Sequence, residues 1–261
     1  MLIITNPKLD KKRIELCDLI CLLSAMEIFY TIQNDFVAFS LEHVTVLIAY
    51  VLISILTIYW AKHFLSQKAK DRAGMILALI PLLAVILRIY FKYHFGEFTY
   101  VKDLPLFICR LVSFVLPILI WTKNRALFGV LYFWVIAGTT NALITPDIEY
   151  GLPHMESIFY WMIHAGLVMS ILYCVFVYGW KPKRRDIWRA FMWANFYLVF
   201  IHGLNSLMGS NYSYTMHKPI NGSILDFFGP WPWYLLTGQL LALFLFLLFY
   251  LPFYFVEKSS K

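Results

Sequence analysis

The chain has 261 residues, of which 61% are hydrophobic, 19% aromatic and only 14% charged. A water-soluble domain of this length cannot cover so much apolar surface, so the composition excludes that class and predicts an integral membrane protein. The formal net charge of +7 does not indicate a nucleic-acid partner, because the lysine and arginine residues lie in short stretches between apolar segments.

Residues 1–40 form a predicted N-terminal unit, in which a basic cluster precedes a stretch of mixed polarity. The stretch from Ile14 to Tyr30 is moderately apolar but is interrupted by acidic residues. We interpret it as an interfacial helix that lies along the membrane surface. A full additional crossing of the membrane is the alternative interpretation.

Residues 41–261 are predicted to form one membrane bundle. Seven apolar stretches are long enough to cross about 30 Å of hydrocarbon as helices, which takes about 20 residues for each crossing. Tryptophan residues lie at or near several of their ends, where an indole ring prefers the membrane interface. The sequence therefore predicts an all-α, seven-transmembrane helix bundle with spans at 44–60, 73–95, 104–121, 126–145, 157–180, 187–208 and 233–256.

Positive charge between the spans predicts their orientation. The loops after the first, third and fifth spans are rich in lysine and arginine, whereas the loops after the fourth and sixth are not. Positively charged loops remain on the cytoplasmic side, so the first span is predicted to begin outside. The basic loop residues are Lys62, Lys68, Lys70, Arg72, Lys123, Arg125, Lys181, Lys183, Arg184 and Arg185.

Polar residues within the spans are concentrated toward the predicted outer ends of six helices. An ionisable group in hydrocarbon costs on the order of 3 kcal/mol on insertion scales, so such groups normally face the interior of a bundle. Their shared depth predicts a polar cavity that opens toward the outer leaflet. The residues that define this layer are His43, Arg88, Cys109, Asn141, His164, His202 and Asn205.

Each of these residues also has a structural interpretation. A single intramembrane histidine or asparagine commonly ties two helices together, and a single cysteine is commonly a small buried hydrophobe. Arg88 is expected either to bind a phosphate or carboxylate, or to pair with an acid such as Glu42. Cys109 and His164 differ because they are predicted at matching depths, where a histidine that accepts the thiol proton produces a nucleophilic thiolate.

The loop before the last predicted span is unusually rich in aromatic residues and proline. It runs from Asn211 to Tyr234 with the sequence NYSYTMHKPINGSILDFFGPWPWY, which includes Trp231. The prolines and Gly229 favour a rigid turn that leads into the last span. We predict either a lid over the polar cavity or an aromatic anchor in the membrane interface.

Short motifs along most of the chain resemble those of known membrane proteins. The motifs are LPLFIC at 104–109, ALITPD at 142–147, IH at 163–164, NYSYTMHKP at 211–219 and GPWPWY at 229–234. With them the chain resembles the YwaF-like bacterial integral membrane proteins and, more distantly, the vertebrate transmembrane protein 164 acyltransferases. The resemblance implies a phospholipid acyltransferase whose cysteine and histidine correspond to Cys109 and His164. The chain departs from it at Phe107, where bacterial relatives commonly have a polar residue, and at Arg110, where the vertebrate proteins have histidine.

The leading functional prediction is an integral membrane lipid acyltransferase with a cysteine nucleophile. Phospholipids or lyso-lipids are the expected partners, and the site is expected in the outer leaflet. His164 deprotonates Cys109 in this mechanism, and Asn141, Asn205 and His202 are the predicted donors to the oxyanion. The cysteines show neither a disulfide framework nor a metal-binding spacing, so no metal and no cofactor is predicted.

Two other functions remain open at this stage. The first is a zinc-dependent hydrolase, with ligands drawn from His43, His164 and His202 together with Cys109 or Asp147. The second is a lipid-binding or transport protein without enzymatic activity, whose polar cavity holds a lipid head group.

Overall fold

The computed structural model describes residues 28–32, 34–219 and 224–259. Within these ranges the regular structure is helical, apart from one isolated antiparallel bridge between Asp35 and Tyr150. The all-α prediction is therefore confirmed. The predicted interfacial helix lies outside the described residues except for its last three positions. The helices of 15 residues or more in the described ranges are α1 Leu41–Phe64, α2 Gln67–His94, α3 Ile108–Thr122, α4 Arg125–Ile144, α5 Met155–Phe176, α6 Arg184–Met208 and α7 Trp233–Ser259.

Five of these helices, namely α1, α2, α4, α5 and α7, are long and apolar enough to cross a membrane. The prediction of a multi-pass membrane protein is confirmed at this level. The third predicted span was placed at 104–121, but α3 has only 15 residues and begins at Ile108. In α6 the charged residues Arg184, Arg185, Asp186 and Arg189 occupy the first two turns.

Capping residues explain where several helices begin or end. Ser40 begins α1 because its hydroxyl accepts a hydrogen bond from the backbone N–H of His43 at 3.3 Å. Asn124 begins α4 in the same way, with its side-chain oxygen accepting from the next free N–H groups of the chain. Gly209 ends α6 with φ +64°, a left-handed conformation that glycine adopts without a steric penalty.

Helix α5 lies at the centre of the bundle and packs against α1, α2, α3 and α4. Its side chains Ile163, Leu167 and Ile171 are at most 2% exposed and form part of one continuous apolar core. Helices α6 and α7 lie on the far side of α4. The Trp134 ring N–H donates to the Ala190 carbonyl of α6 at 2.9 Å, and the Tyr132 hydroxyl donates to a carbonyl of α7 at 3.0 Å.

Contacts between the helix ends show that successive helices alternate in direction. At one end, which we call the polar end, the start of α1 contacts the end of α4 through His43 and Leu143. The opposite end, which we call the basic end, holds the start of α2 against the end of α3 through an ion pair between Asp71 and Lys123. All the basic loop residues identified in the sequence lie at or near the basic end, and the predicted polar residues lie toward the polar end.

Candidate functional site

Cys109 lies in the first turn of α3, because the helix begins at Ile108 and not at residue 104, where the third span was predicted to begin. Phe107 is the residue before the helix, and no side chain caps this end within the described part of the chain. The first helical hydrogen bond runs from the N–H of Leu111 to the carbonyl of Phe107. The N–H groups of the first turn, which includes Cys109, therefore have no acceptor within the helix.

The half-buried thiol of Cys109 contacts α4, with its Sγ atom 3.6 Å from the Oγ1 atom of Thr139. Thr139 ends a wide π-helical turn over Trp134–Thr139, a distortion that often occurs at functional sites. Asn141 donates a hydrogen bond to the Ala137 carbonyl within this turn at 2.7 Å. Asn141 was predicted as an oxyanion donor, and in the structure its amide supports the backbone of its own helix.

His164 lies on α5 and is oriented by Tyr160, one turn earlier. Its Nδ1 atom is 2.8 Å from the Tyr160 carbonyl oxygen, and the two rings stack at a centroid distance of 4.0 Å. A carbonyl oxygen only accepts, so Nδ1 carries the hydrogen and Nε2 retains its lone pair. The Tyr160 hydroxyl in turn donates to the Ala142 carbonyl at 2.6 Å, which anchors this unit to α4.

The helices that carry Cys109 and His164 are neighbours, since α3 packs against α5. The thiol is nevertheless hydrogen-bonded to Thr139, and within the described residues no hydrogen bond joins it to the imidazole. The structure thus places the two predicted catalytic residues on adjacent helices. A thiol that donates to Thr139 has to rotate before it can transfer its proton to a base.

Arg88 is buried in a cluster of charged groups at the polar end. Its guanidinium donates to Asp103 at 3.0 Å and to Glu156 at 2.9 Å, and Lys92 lies 3.8 Å from both carboxylates. The structure therefore agrees with the prediction that Arg88 pairs with an acid. The acid is not Glu42, whose carboxylate instead accepts a hydrogen bond from the backbone N–H at residue 152.

His43 is fully buried and connects the start of α1 to the end of α4. Its Nδ1 atom accepts from the Phe39 N–H at 2.9 Å, and its Nε2 atom lies 2.9 Å from the Leu143 carbonyl oxygen, to which it donates. Because both ring nitrogens are engaged by backbone groups, neither is free for a metal or a substrate in this arrangement.

The segment at residues 210–219, which we call the tyrosine loop, is held to α6 by Asn205. This side chain is fully buried, and its amide donates to the Tyr212 carbonyl and to the Thr215 hydroxyl, both at 2.8 Å. Its oxygen accepts from the Ser210 hydroxyl at 2.7 Å and from the Tyr212 N–H at 2.9 Å. Asn205, predicted as an oxyanion donor, therefore has all its hydrogens engaged in holding the loop.

The tyrosine loop packs against the chain that leads into Cys109. The Phe107 ring lies between the rings of Tyr212 and Tyr214, at centroid distances of 5.3 and 5.7 Å. The Tyr212 hydroxyl donates to the Tyr100 carbonyl at 2.5 Å, and the Tyr214 hydroxyl donates to Asp147 at 2.5 Å. The loop therefore covers the start of α3.

The two other predicted residues of this region also hold the loop. Asn211 accepts from the N–H groups of Met216 and His217 at 3.0 and 3.2 Å. Trp231, which is 54% exposed, donates its ring N–H to the Thr215 carbonyl at 3.1 Å. Trp231 thus serves both as an anchor of the loop and as an exposed ring beside the last helix.

Replacing Asn205 with alanine is expected to loosen the tyrosine loop. The change leaves several buried partners unsatisfied, at a cost of about 1–3 kcal/mol, which corresponds to at least about fivefold faster opening. Hydrogen–deuterium exchange of the peptide covering residues 210–219 measures this effect. Asn195→Ala is the matched control, because Asn195 also lies in α6 but donates only to the Phe191 carbonyl in its own helix. Equal exchange in the two variants contradicts the prediction.

His202 is the predicted residue with the least defined role. Its Nδ1 atom is buried and has no hydrogen-bond partner among the described residues. The zinc alternative required His43, His164 and His202 to approach one another. Over the described ranges of the chain, however, no three histidine, cysteine or acidic residues form a group able to hold a metal ion.

Several of the predicted polar residues lie in separate hydrogen-bonded clusters. Two cavities between the helices differ in size, and the larger of these two has a volume of about 530 Å³ and lies between α1, α4 and α5. The smaller has a volume of about 180 Å³ and lies between α6, α7 and the tyrosine loop. Neither of these two cavities is lined by Cys109 or His164.

Several residues around the thiol were not identified from the sequence. They are Thr139 beside the sulfur, Tyr160 beside His164, and the tyrosines of the loop and of α6 that hold Leu106 and Asp147. The hydroxyl of Thr139 in the fourth predicted span was a usable signal, because it shares with Asn141 the polar character that drew attention to that span. The tyrosines carried no such signal, since tyrosine is common throughout this chain.

Comparison with known proteins gives one match. A family model described as the TMEM164 family matches residues 38–250, which includes the described helices from α1 through most of α7. No curated protein and no solved structure matches the chain. The matched range contains every predicted site residue from His43 to Trp231.

Proposed function

The chain belongs to the TMEM164 family, and we propose that it is an integral membrane acyltransferase. In this proposal Cys109 and His164 move a fatty acyl chain from a phospholipid to a lyso-lipid or to another lipid-anchored acceptor. Membership of the family supports a membrane protein of acyltransferase type. The observation that carries the proposal is the position of Cys109 in an uncapped first helical turn, on a helix adjacent to the one that bears His164.

The start of α3 is a suitable environment for a cysteine nucleophile. The free N–H groups of the first turn and the positive end of the helix dipole stabilise a negative charge on the sulfur. The same N–H groups are available to the oxyanion that forms when the sulfur attacks an ester carbonyl. This assigns to the backbone the role that the sequence suggested for Asn141 and Asn205, whose amides are engaged elsewhere.

His164 is proposed to act as the base. When the thiol rotates away from Thr139, its proton passes to the Nε2 lone pair, and the thiolate attacks the ester carbonyl of the donor phospholipid. The ester C–O bond breaks, and the departing lyso-lipid oxygen takes the proton from the imidazolium. The acceptor hydroxyl then gives its proton to His164 and attacks the thioester. The C–S bond breaks, the acyl chain is now on the acceptor oxygen, and the sulfur takes the proton back from the imidazolium.

The proposed setting is a seven-span bundle with its polar end toward the outer leaflet of a bacterial cytoplasmic membrane. Basic residues at the opposite end support this orientation, because such residues remain on the cytoplasmic side. α3 and α6 connect loops at opposite ends of the bundle, which supports counting them as crossings although they fall short of the length or hydropathy of the other five. The donor and acceptor lipids then reach Cys109 from the outer leaflet.

An acyl-adduct experiment tests the proposal. Purified protein is exposed to a phospholipid donor, and peptides are examined by mass spectrometry for an acyl adduct that hydroxylamine removes. We expect the adduct on Cys109, and we expect it in Cys174→Ala but not in Cys109→Ala. Cys174 is the matched control because it is a fully buried free cysteine near the basic end. Absence of the adduct, or its location on Cys174, contradicts the proposal.

One observation also favours a lipid-binding or transport protein without enzymatic activity. The larger cavity is an apolar groove between α1, α4 and α5 that does not include Cys109. Lipid flux in proteoliposomes distinguishes this function from acyl transfer. Flux that persists in Cys109→Ala, in the absence of any acyl adduct in the unaltered protein, supports transport over catalysis.

A further inference from the structure

A groove with a volume of about 530 Å³ runs between α1 on one side and α4 and α5 on the other. Its walls are almost entirely apolar, with Val51 and Ile55 from α1 facing Val168 and Leu172 from α5. The volume lies within the range of about 300–1,000 Å³ that is usual for small-molecule sites. This groove is separate from Cys109 and His164, which do not line it.

The packing of α1 explains why the groove exists. At the polar end, His43 of α1 is held against the Leu143 carbonyl of α4 at 2.9 Å. On the side facing α2 and α5, Ala61 of α1 is buried in an apolar cluster with Leu77 and Tyr173. These contacts fix α1 on two sides and leave the space between its middle turns and α4 unfilled by side chains.

The length of the groove matches a lipid chain better than a protein helix. Along α1 it runs from Leu47 to His63, which is roughly 24 Å at about 1.5 Å per residue. A helix with its side chains is about 10–12 Å wide. An extended acyl chain is much narrower, and the groove is longer than the roughly 15 Å that one leaflet contributes to the hydrocarbon.

Charge distinguishes the two ends of the groove. Lys62 and His63 line it at the basic end, whereas the other lining residues, all within the described part of the chain, are uncharged. The Lys62 ammonium and the His63 imidazole both present N–H donors that suit phosphate oxygens. Only an amphiphile with one anionic end and an apolar chain matches this distribution.

We propose that the groove binds an anionic phospholipid from the leaflet at the basic end. Its phosphate lies against Lys62 and His63, and one of its acyl chains lies between α1 and α5. Lys62 and His63 lie in the last turn of α1 beside the exposed side chains of Tyr59 and Trp60, and aromatic side chains of this kind lie at the level of the phospholipid head groups. The site does not depend on the proposed chemistry at Cys109.

Competition between two lipids tests this site. Delipidated protein in detergent is mixed with equal amounts of phosphatidylglycerol and phosphatidylcholine that carry the same chains, and native mass spectrometry measures the bound ratio. A cation near an anionic lipid head group contributes enough to favour phosphatidylglycerol by about fivefold. We expect Lys62→Gln with His63→Gln to remove this preference. Lys68→Gln, a change at an exposed lysine outside the groove, is expected to retain it.

A filling variant tests the chain-binding part. Leu172→Trp places an indole ring in the groove and is expected to reduce the amount of both lipids that is bound. Ile53→Trp, on an exposed face of α1 outside the groove, is expected to leave the bound amounts unchanged. Cys109→Ala is expected to bind both lipids as the unaltered protein does, which separates this site from the proposed catalysis. Equal binding of the two lipids, a preference that survives loss of Lys62 and His63, or a dimer that Leu172→Trp disrupts, overturns the proposal.

Discussion

Cys109→Ala is expected to lower the rate of acyl transfer by at least about a thousandfold, because removal of a nucleophile leaves only the contribution of substrate binding and the oxyanion site. Turnover of a phospholipid donor with a labelled acyl chain measures the effect. Cys174→Ala is expected to retain the activity of the unaltered protein. Its sulfur is fully buried in the apolar core, so the change costs only about 1 kcal/mol of packing.

The role of His164 is distinguished by combining two substitutions. His164→Gln alone is expected to reduce the rate by about 10²–10⁴-fold, as for loss of a general base. If the two residues act as one unit, the double variant with Cys109→Ala is no slower than Cys109→Ala alone. Activity in Cys109→Ala close to that of the unaltered protein contradicts the cysteine mechanism. A full rate in His164→Gln contradicts only the assignment of the base.

Arg88→Met is expected to have the largest effect on stability. The change leaves the carboxylates of Asp103 and Glu156 without their buried partner, although Lys92 remains nearby. The Arg88 and Asp103 side chains are only 10% and 2% exposed, and breaking a buried pair on one side costs about 3–5 kcal/mol. The free energy of unfolding in a denaturing detergent titration measures this loss.

Lys123→Met is the matched control for Arg88→Met. Lys123 forms an ion pair with Asp71 at 2.7 Å, but the two side chains are 49% and 37% exposed. An exposed pair contributes less than about 1 kcal/mol, because water screens the charges and the side chains lose conformational freedom. Similar losses in the two variants contradict a stabilising role for the buried cluster.

The carboxyl group of Asp103 in this cluster is expected to make the free energy of unfolding depend on pH. Burial by itself raises the pKa of Asp103, but the Thr99 N–H, Lys92 and Arg88 outweigh burial and hold that pKa below its ordinary value. Because this pKa is lower in the folded state, the ionised Asp103 contributes fully to the free energy of unfolding above the unfolded pKa of about 3.9. That contribution is lost as the pH falls through the folded pKa. Unfolding measured between neutral pH and about pH 3 is expected to show this loss, and Asp103→Asn is expected to lack that part of the dependence.

The site around Cys109 was partly predictable from the sequence. The motif at 104–109 and the likeness at His164 identified two residues that the structure places on adjacent helices. The hydrogen bond between the Cys109 thiol and the Thr139 hydroxyl was not predictable from the sequence. It depends on a π-helical turn in α4, which shifts by one residue the helix face on which the following side chains lie. The start of α3 at Ile108 was also missed, because 104–107 is apolar but is held in a non-helical path by Tyr212 of the tyrosine loop and Tyr197 of α6.

The polar layer shows what intramembrane position alone does not determine. Arg88, His43 and Asn205 were all predicted toward one end of the bundle, and the structure has them there. Their partners are Asp103, the Leu143 carbonyl and the tyrosine loop, which lie 15, 100 and 7–10 residues away along the chain. A hydropathy pattern predicts how deep a residue lies in the membrane. It does not predict the direction of the side chain or the group to which the side chain is hydrogen-bonded.

By itself, the sequence determined that the chain is a helical membrane protein, because about 20 apolar residues in succession can satisfy their backbone groups in hydrocarbon only as a helix. It also determined which end carries the basic residues and which carries the polar ones. Only the tertiary structure decided that Asn205 holds a loop, that Arg88 is neutralised within the protein, and that Cys109 lies at an uncapped helix start. The reason is that these roles depend on loops that fold back over the bundle, and loop paths are set by long-range contacts that leave little trace in local composition.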